Sequence, residues 1–483
     1  MKIPEKEAYE AYRSCDASYD GSLFVGIRST GIYCRPICPA RRASAKNCRF
    51  FSSAAEAEAA GFRPCLICHP ERPSFSASLL GTDSLAEKMA AYLWAHASGP
   101  LSLEGMAARF GYSSRHMRRA FMDQFHVAPI TYLETCRLLL AKALLQGSSL
   151  SIAEIALASG FGSTRRLNEL FQERYHLPPT ALHRLASSQP ALGTLTLTLT
   201  YRPPYLAAPL FAFLEGRAIK GIENVTHGIY ERTVSLEGKN GEPCQGIISV
   251  APTKKDDALI LTLSDTLLPV LSDVIFRVSR QFDLAAFPGN VAAVLCAMND
   301  DFPGTFMEGI RIPGAFDGFE TAVRAILGQQ ITVKAAGTLA SRFVATLGTP
   351  IETGHPGLTH LFPTPNKILS YGEGLADELG KLGIISSRAA AIRALAQALV
   401  EGSLRLDGTR TREETKKALL SLKGIGHWTS DYIAMRVLKD PDIFLENDAG
   451  IKHAMPGTTP KKRLTLAEAW RPFRSYATVS LWR

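Results

Sequence analysis

Nine cysteines are spread along the 483 residues, and four of them fall into two short pairs. Cys34 and Cys38 stand three residues apart within "TGIYCRPICPARR", and Cys65 and Cys68 two apart within "GFRPCLICHP". Four thiols in such a pattern can hold a metal, form disulfides or act as nucleophiles. Two short pairs across a 26-residue spacer carry the ligand spacing of a tetrahedral zinc site, because each pair keeps half of the cage local. A thiolate kept deprotonated by zinc is also a nucleophile at neutral pH. Arg35, Arg41 and Arg42 flank the first pair and are placed to meet a phosphate backbone. A second stretch with chemical content is "LLSLKGIGHWTSDYIAMRV", residues 419–437. Leu422, Gly424 and Gly426 outline a hairpin between two helices. Glycines there bring backbone N–H groups close to a phosphate at a helix N-terminus.

The chain that must position these groups is too long for one ordinary domain, and two to four are expected. At 46% hydrophobic and 20% charged residues it reads as a soluble globular protein. Its apolar runs are too short for a transmembrane helix, so no membrane partner is expected. The start, "MKIPEKEAYE", has no apolar core and predicts no secretory signal. A cytoplasmic location follows, where thiols stay reduced and favour metal or thiol chemistry over disulfides. The net charge of +9 fits a polyanionic partner. The excess is even: 11 Lys+Arg against 8 Asp+Glu in residues 1–75, the same in 76–190, and 32 against 29 in 191–483. Local clusters must therefore carry any nucleic-acid contact.

Two linker-like stretches, "ERPSFSASLLGTDS" (71–84) and "ASSQPALGT" (186–194), divide the chain. Between them the periodicity is helical. Leu103, Met106, Ala107 and Phe110 recur at helical spacing before Gly111, and Ser113 is a candidate cap for the next helix. The pattern then repeats: Arg115, Met117, Phe121, His126 and Pro129 return fifty residues later as Arg165, Leu167, Phe171, His176 and Pro179. This predicts a duplicated helix-turn-helix. Its candidate reading helices carry Arg115, Arg118 and Arg119 in one copy and Arg165 and Arg166 in the other, suited to guanine edges or phosphates. From "TLTLTLTY" onward the sequence alternates as strands do, through "TVSLEG", "GIISVAP" and "ALILTLS". Helical periodicity returns from about Phe282. The fold class is thus multidomain α+β: a small zinc domain (1–75), an all-α tandem helix-turn-helix (84–185), a small antiparallel sheet subdomain (193–285) and a helical bundle (286–483).

"TGIYCRPIC" followed by "GFRPC" resembles the methyl-acceptor zinc domain of the Ada family. The resemblance implies that Cys34, Cys38, Cys65 and Cys68 bind Zn2+. It also implies that Cys34 takes the methyl from a methylphosphotriester in DNA. "IAEIALASGFGSTRRLNELFQERYHLPP" is similar to the second motif of AraC-type DNA-binding domains, which also follow the zinc domain in Ada. In place of the guanine alkyl-transferase that ends Ada, the chain resembles the AlkA type of helix-hairpin-helix, Gly-Pro-Asp glycosylases. "YRPPY", "GIRIPGAFDGFETAVRAILGQQ", "PDIFLENDAG" and "RPFRSYA" carry this likeness. It implies Asp448 as the catalytic carboxylate and Trp428, Tyr432, Trp482 and Phe213 as base-pocket aromatics. Related enzymes that also cut the strand carry a lysine at the position of Trp428, so a monofunctional enzyme is expected. An alkylated purine is cationic, which suits electron-rich rings and needs no strong acid. Two positions depart from the family's best-known member. Gln330 replaces a leucine wedge, and Ala449 replaces an aromatic beside Asp448.

Cys244 lacks the activating histidine of the Ada C-terminus and is expected in a turn before a strand. Cys48, Cys136 and Cys296 are expected as packed thiols. The expected partners are alkylated duplex DNA, promoter sites and the transcription machinery, with the protein a monomer. The competing expectation is a methylation-sensing regulator whose glycosylase module only binds DNA.

Overall fold

The computed structural model describes residues 3–16, 19–65, 68, 70, 83–183, 193–238, 241–253 and 257–483. Of the two linker-like stretches only Asp83, Ser84, Gly193 and Thr194 are among them; the remainder lies outside the described residues.

The N-terminal lobe is a helix, Glu5–Arg13, beside a four-stranded sheet in the spatial order Cys48–Phe51, Phe24–Ile27, Ile32–Cys34, Arg63–Pro64. The last pair is parallel, the others antiparallel. Phe24, Tyr33, Phe51 and Phe62 form its small core. Gly26 is required there: a Cβ would lie 2.8 Å from the Phe51 ring and 2.9 Å from that of Phe62.

Two helix pairs follow: Leu103–Phe110 with Ser114–Phe125, and Ile152–Ala158 with Thr164–Tyr175. The long helix Pro129–Gly147 joins them. The sequence repeat has a physical basis at four of its five positions. Met117 and Leu167, Phe121 and Phe171 are fully buried. Ser113 and Ser163 cap the second helix of each pair through N–H groups of His116 and Arg166. His126 and His176 end those helices in the left-handed region, at φ 59° and 56°. Pro129 and Pro179 each open the next helix, where the missing N–H has no intrahelical partner to lose.

The next region is a five-stranded antiparallel sheet in the order Thr194–Thr200, Ala258–Ser264, Pro243–Pro252, Ile229–Glu237, Glu223–Thr226. Leu195 and Leu197 alternate inward, as the strand pattern predicts. The sheet packs on the helix Leu271–Gln281 in one apolar cluster with Leu167, Phe171 and Tyr175 of the second helix pair. A helix, Ala207–Glu215, also interrupts the sheet region; the helices of the bundle begin at Leu271, earlier than expected, and a two-stranded ribbon, Thr349–Pro350 with His360–Leu361, interrupts them. No helix among the described residues is long and apolar enough to cross a membrane.

Buried charge pairs join the lobes. Arg232 and Arg324 of the sheet and bundle share Glu320 and Glu223, with Arg232 2.7 Å from Glu320 and Arg324 2.8 Å from Glu223. Glu58 of the first lobe accepts hydrogen bonds from Tyr33 (2.8 Å) and from Thr135 of the long joining helix (3.1 Å). Asp20 is fully buried. Its carboxylate accepts from Arg35 Nε at 2.7 Å, and its carbonyl from Arg202 of the "YRPPY" segment at 2.8 Å.

Two predictions follow from these buried carboxyls. The Asp20 carboxylate also lies 3.4 Å from Arg202 Nε, so Asp20→Ala leaves the guanidiniums of Arg35 and Arg202 without it, a class of change that costs about 3–5 kcal/mol. Urea unfolding should show the first lobe destabilised by this order, and an unchanged midpoint would refute the assignment. Glu87 lies in the helix Leu85–Ala95, hydrogen-bonded by Gln124 at 3.0 Å. Burial pushes its carboxyl up from 4.5 to about 7. The folded state then holds a proton that the unfolded state has lost, so stability falls as pH rises between these values. Glu87→Gln should flatten that slope and gain on the wild type above pH 7; parallel melting curves across the window would refute this.

Candidate functional site

Two strand ends build the cysteine cage. Cys34 closes the strand Ile32–Cys34, and Cys65 follows the parallel strand Arg63–Pro64, with its N–H donated to Tyr33 O at 3.0 Å. Cys38 lies in the turn after Cys34, its N–H bonded to Arg35 O at 3.1 Å. Cys68 completes the set and accepts from the Arg35 N–H at 3.4 Å. All four sulfurs lie within 4.8 Å of one another and none is in a disulfide. Tetrahedral zinc with sulfur at about 2.3 Å sets sulfurs about 3.8 Å apart; Cys38 and Cys65 stand at 4.0 Å. Mutual hydrogen bonding pushes the Cys34 thiol up and draws Cys38 down. This competition for protons is what a shared divalent cation removes, and the donor set fits zinc.

The flanking arginines divide. Arg41 is exposed. Arg35, expected at the DNA backbone, turns inward instead, because buried Asp20 is the stronger partner for its guanidinium. Arg42 bonds Cys15 and lies 4.6 Å over the Tyr12 ring. Cys48 is buried and donates to Ser44 O at 3.4 Å.

On the first reading helix Arg115, Arg118 and Arg119 are exposed, opposite buried Met117, Phe121 and Phe125. On the second, Arg165 is exposed but pairs with Glu169 at 2.8 Å, one turn on. Arg166 pairs with Glu134 at 2.7 Å. The two copies therefore present different amounts of free positive charge.

In the C-terminal bundle the helices Arg412–Leu420 and His427–Arg436 flank the glycine hairpin. Gly424 has φ 91°, and a Cβ on it would lie 2.8 Å from Ala391 Cβ, so glycine is needed on both counts. Gly426 caps the second helix with no side chain over its first turn.

Asp448 caps the short helix Ala449–Ala454. Its Oδ1 accepts the Gly450 N–H at 2.8 Å and Trp482 Nε1 at 2.8 Å; its Oδ2 accepts Trp428 Nε1 at 3.1 Å. The structure thus gives both tryptophans a task beyond lining a pocket. Gly450 makes the grip possible, since a Cβ there would meet Trp482 Cδ1 at 2.7 Å. Only the tertiary approach of Trp482 shows this, so no sequence signal could have found it. Trp428 stacks on Tyr432 at 5.2 Å, Tyr432 stands 6.3 Å from Trp482, and Phe213 is stacked on Trp482 at 6.0 Å. The four predicted aromatics are thus brought together beside Asp448.

Phe213 also lies against protein cations, with Arg217 at 3.7 Å and Arg436 at 5.0 Å. It is one of the expected base-pocket aromatics, and these guanidiniums lie over its π surface. Arg436 donates to Tyr432 OH at 2.6 Å. Burial raises the Tyr432 hydroxyl, but Arg436 and Arg217 outweigh it and hold the group below its usual range. Gln330 is exposed in the left-handed region at φ 57°, and Ala449 is exposed beside Asp448.

Cys244 belongs to the strand Pro243–Pro252, paired with Leu236, rather than to a preceding turn, and burial pushes its thiol up. Cys136 is buried as expected. Cys296 is exposed, because it caps the helix Pro288–Leu295 at its open end.

Comparison with known proteins gives four consecutive family matches. They are the metal binding domain of Ada (residues 7–71), a helix-turn-helix domain (106–184), the AlkA N-terminal domain (196–317) and the HhH-GPD superfamily base excision DNA repair protein (323–472). A Mycobacterium tuberculosis protein named "Probable bifunctional transcriptional activator/DNA repair enzyme AlkA" is 35% identical over 492 residues, covering 99% of this chain and 96% of its own. DNA-3-methyladenine glycosylase 2 of Escherichia coli is 34% identical over 285 residues, 59% of this chain and 96% of its own. The Escherichia coli bifunctional transcriptional activator/DNA repair enzyme Ada is 30% identical over 135 residues, 28% of this chain and 37% of its own. With every module in the same order and almost full coverage on both sides, the chain belongs to the family of bifunctional proteins that join an Ada zinc domain and a helix-turn-helix to an AlkA-type glycosylase.

Proposed function

We propose that this protein repairs alkylated DNA by two separate chemistries and regulates the response to alkylation. The observation that carries the enzymatic reading is the Asp448 carboxylate, held by two indole N–H groups among aromatic rings and beside the glycine hairpin.

In the first chemistry the Cys34 sulfur attacks the methyl carbon of a methylphosphotriester. The S–C bond forms, the C–O bond breaks, and the phosphodiester anion leaves. Zinc, when bound, keeps the four thiols deprotonated. A neutral phosphotriester can approach the cage, whose net charge of about −2 repels ordinary phosphates. Methyl transfer turns Cys34 into a neutral thioether and halves that charge, so DNA binding tightens after repair. Arg41 and the exposed Arg115, Arg118 and Arg119 contact promoter DNA, with Arg165 and Arg166 following once they release their acidic partners. The protein acts as a monomer that recruits the transcription machinery.

In the second chemistry a flipped alkylated base stacks against Trp428, Tyr432 and Trp482, while Phe213 backs the pocket with its guanidiniums. As the glycosidic bond breaks, positive charge develops on the sugar, and the Asp448 carboxylate stabilises it and orients water. Trp428 offers no amine for a Schiff base, so the strand stays intact. The same carboxylate weighs against a module that only binds DNA.

Incubation of the full chain with methylated DNA tests both chemistries in one sample. Peptide mapping should place one methyl on Cys34, and 3-methyladenine should be released with the strand uncut. A methyl on another cysteine, or on none, removes the acceptor assignment. Asp448→Asn should keep DNA binding and lose about a hundredfold or more in rate; full activity removes Asp448 as the catalytic carboxylate, and borohydride trapping of the wild type on DNA removes the monofunctional assignment.

A further inference from the structure

Gln329 sits in the loop after the helix Gly318–Leu327 and next to the exposed Gln330. Its side-chain Nε2 donates to Gly424 O at 3.0 Å and to Thr429 Oγ1 at 3.0 Å. Its own carbonyl oxygen accepts from the Arg388 guanidinium, in the first turn of the helix Ser386–Val400. One residue thus ties together the loop, the glycine hairpin and a third helix. Gly424 itself packs on that same helix, against Ala391. Thr429 is buried at 3% exposure, so its hydroxyl is a fixed acceptor rather than a mobile surface group.

The neighbouring Gln330 holds a left-handed backbone at φ 57°. For a residue other than glycine that conformation is unfavourable and persists only where the surroundings over-determine it. The bonds made by Gln329 supply that constraint. They also fix the distance between the Gln330 turn and the backbone N–H groups of the hairpin.

We propose that Gln329 is a positioning residue for base extrusion, locking the Gln330 turn and the Gly424–Gly426 hairpin into one rigid jaw. The proposal rests on the glycosylase reading of this domain. Extruding a paired base breaks its pairing and stacking, and costs much less where the base is already unpaired. A jaw of fixed spacing can apply the hairpin's grip on the strand to the step at the flipped base. A loose jaw grips the strand and leaves the base stacked. The need for Gln329 should therefore depend on whether the lesion is paired, which a role in folding or in the pocket would not produce.

The test compares single-turnover release of 3-methyladenine from a paired duplex and from the same lesion in a one-nucleotide bulge. Gln329→Glu keeps the length of the side chain and removes its donors. On the paired duplex it should lose roughly ten- to a hundredfold, the scale of a misplacement of about 1 Å. On the bulge it should retain most of the wild-type rate. Equal loss on both substrates, or no loss on either, overturns the proposal. Release by the wild type from neither substrate overturns the glycosylase reading itself. Should Gln329→Glu fail to melt cooperatively, Thr429→Ala, which removes one of the two acceptors, must show the same bias toward the paired substrate; without that bias the proposal fails.

Discussion

A carboxylate beside aromatic surface loses its water, and an unpaired charge there is costly enough that the group would take up a proton. Asp448 meets this constraint with three N–H donors, from Gly450, Trp428 and Trp482. Much of the bundle is arranged to deliver them. The helix His427–Arg436 brings Trp428 from the hairpin, and Trp482 arrives from the last turn of the chain, after Arg474–Leu481. The side-chain-free Gly450 lets the second indole close in. The same two rings stand with Tyr432 beside the carboxylate, so the charge and the aromatic surface are fixed together.

The N-terminal lobe answers the same constraint with other chemistry. Four thiols compete for protons until a cation joins them, and buried Asp20 and Glu58 take partners from outside their own segments. Asp20 meets Arg202 of the sheet region, and Glu58 meets Thr135 of the long helix. Buried polar groups left unsatisfied are expensive, so these contacts also specify how the lobes dock.

Local signals were legible in the sequence and tertiary ones were not. The cysteine pairs announced themselves because each half of the cage is a short loop. The helix-turn-helix duplication showed in its periodicity, and the structure explains the repeated histidines as left-handed helix ends. Four strands of the five-stranded sheet followed from alternation, while its fifth, Glu223–Thr226, an edge strand with one buried residue of four, carried no such pattern, and neither did the short strands of the first lobe. Arg35 was misplaced because its partner, Asp20, looks in sequence like any surface acid. Nothing local shows Arg217 and Arg436 folding onto Phe213. Gln329 and Gly450 passed unnoticed for the same reason: their meaning lies in residues about 30 to 100 positions away.

The central claim is that the two tryptophans serve the Asp448 carboxylate as donors and not only as stacking surfaces. A double-mutant cycle on single-turnover base release measures this directly, with Trp482→Phe, which keeps an aromatic ring but loses the N–H, made alone and in an Asp448→Asn background. The account predicts a large loss from Trp482→Phe when the carboxylate is present and little further loss when it is absent. Losses that simply add would contradict it, and would leave Trp482 as a pocket wall alone.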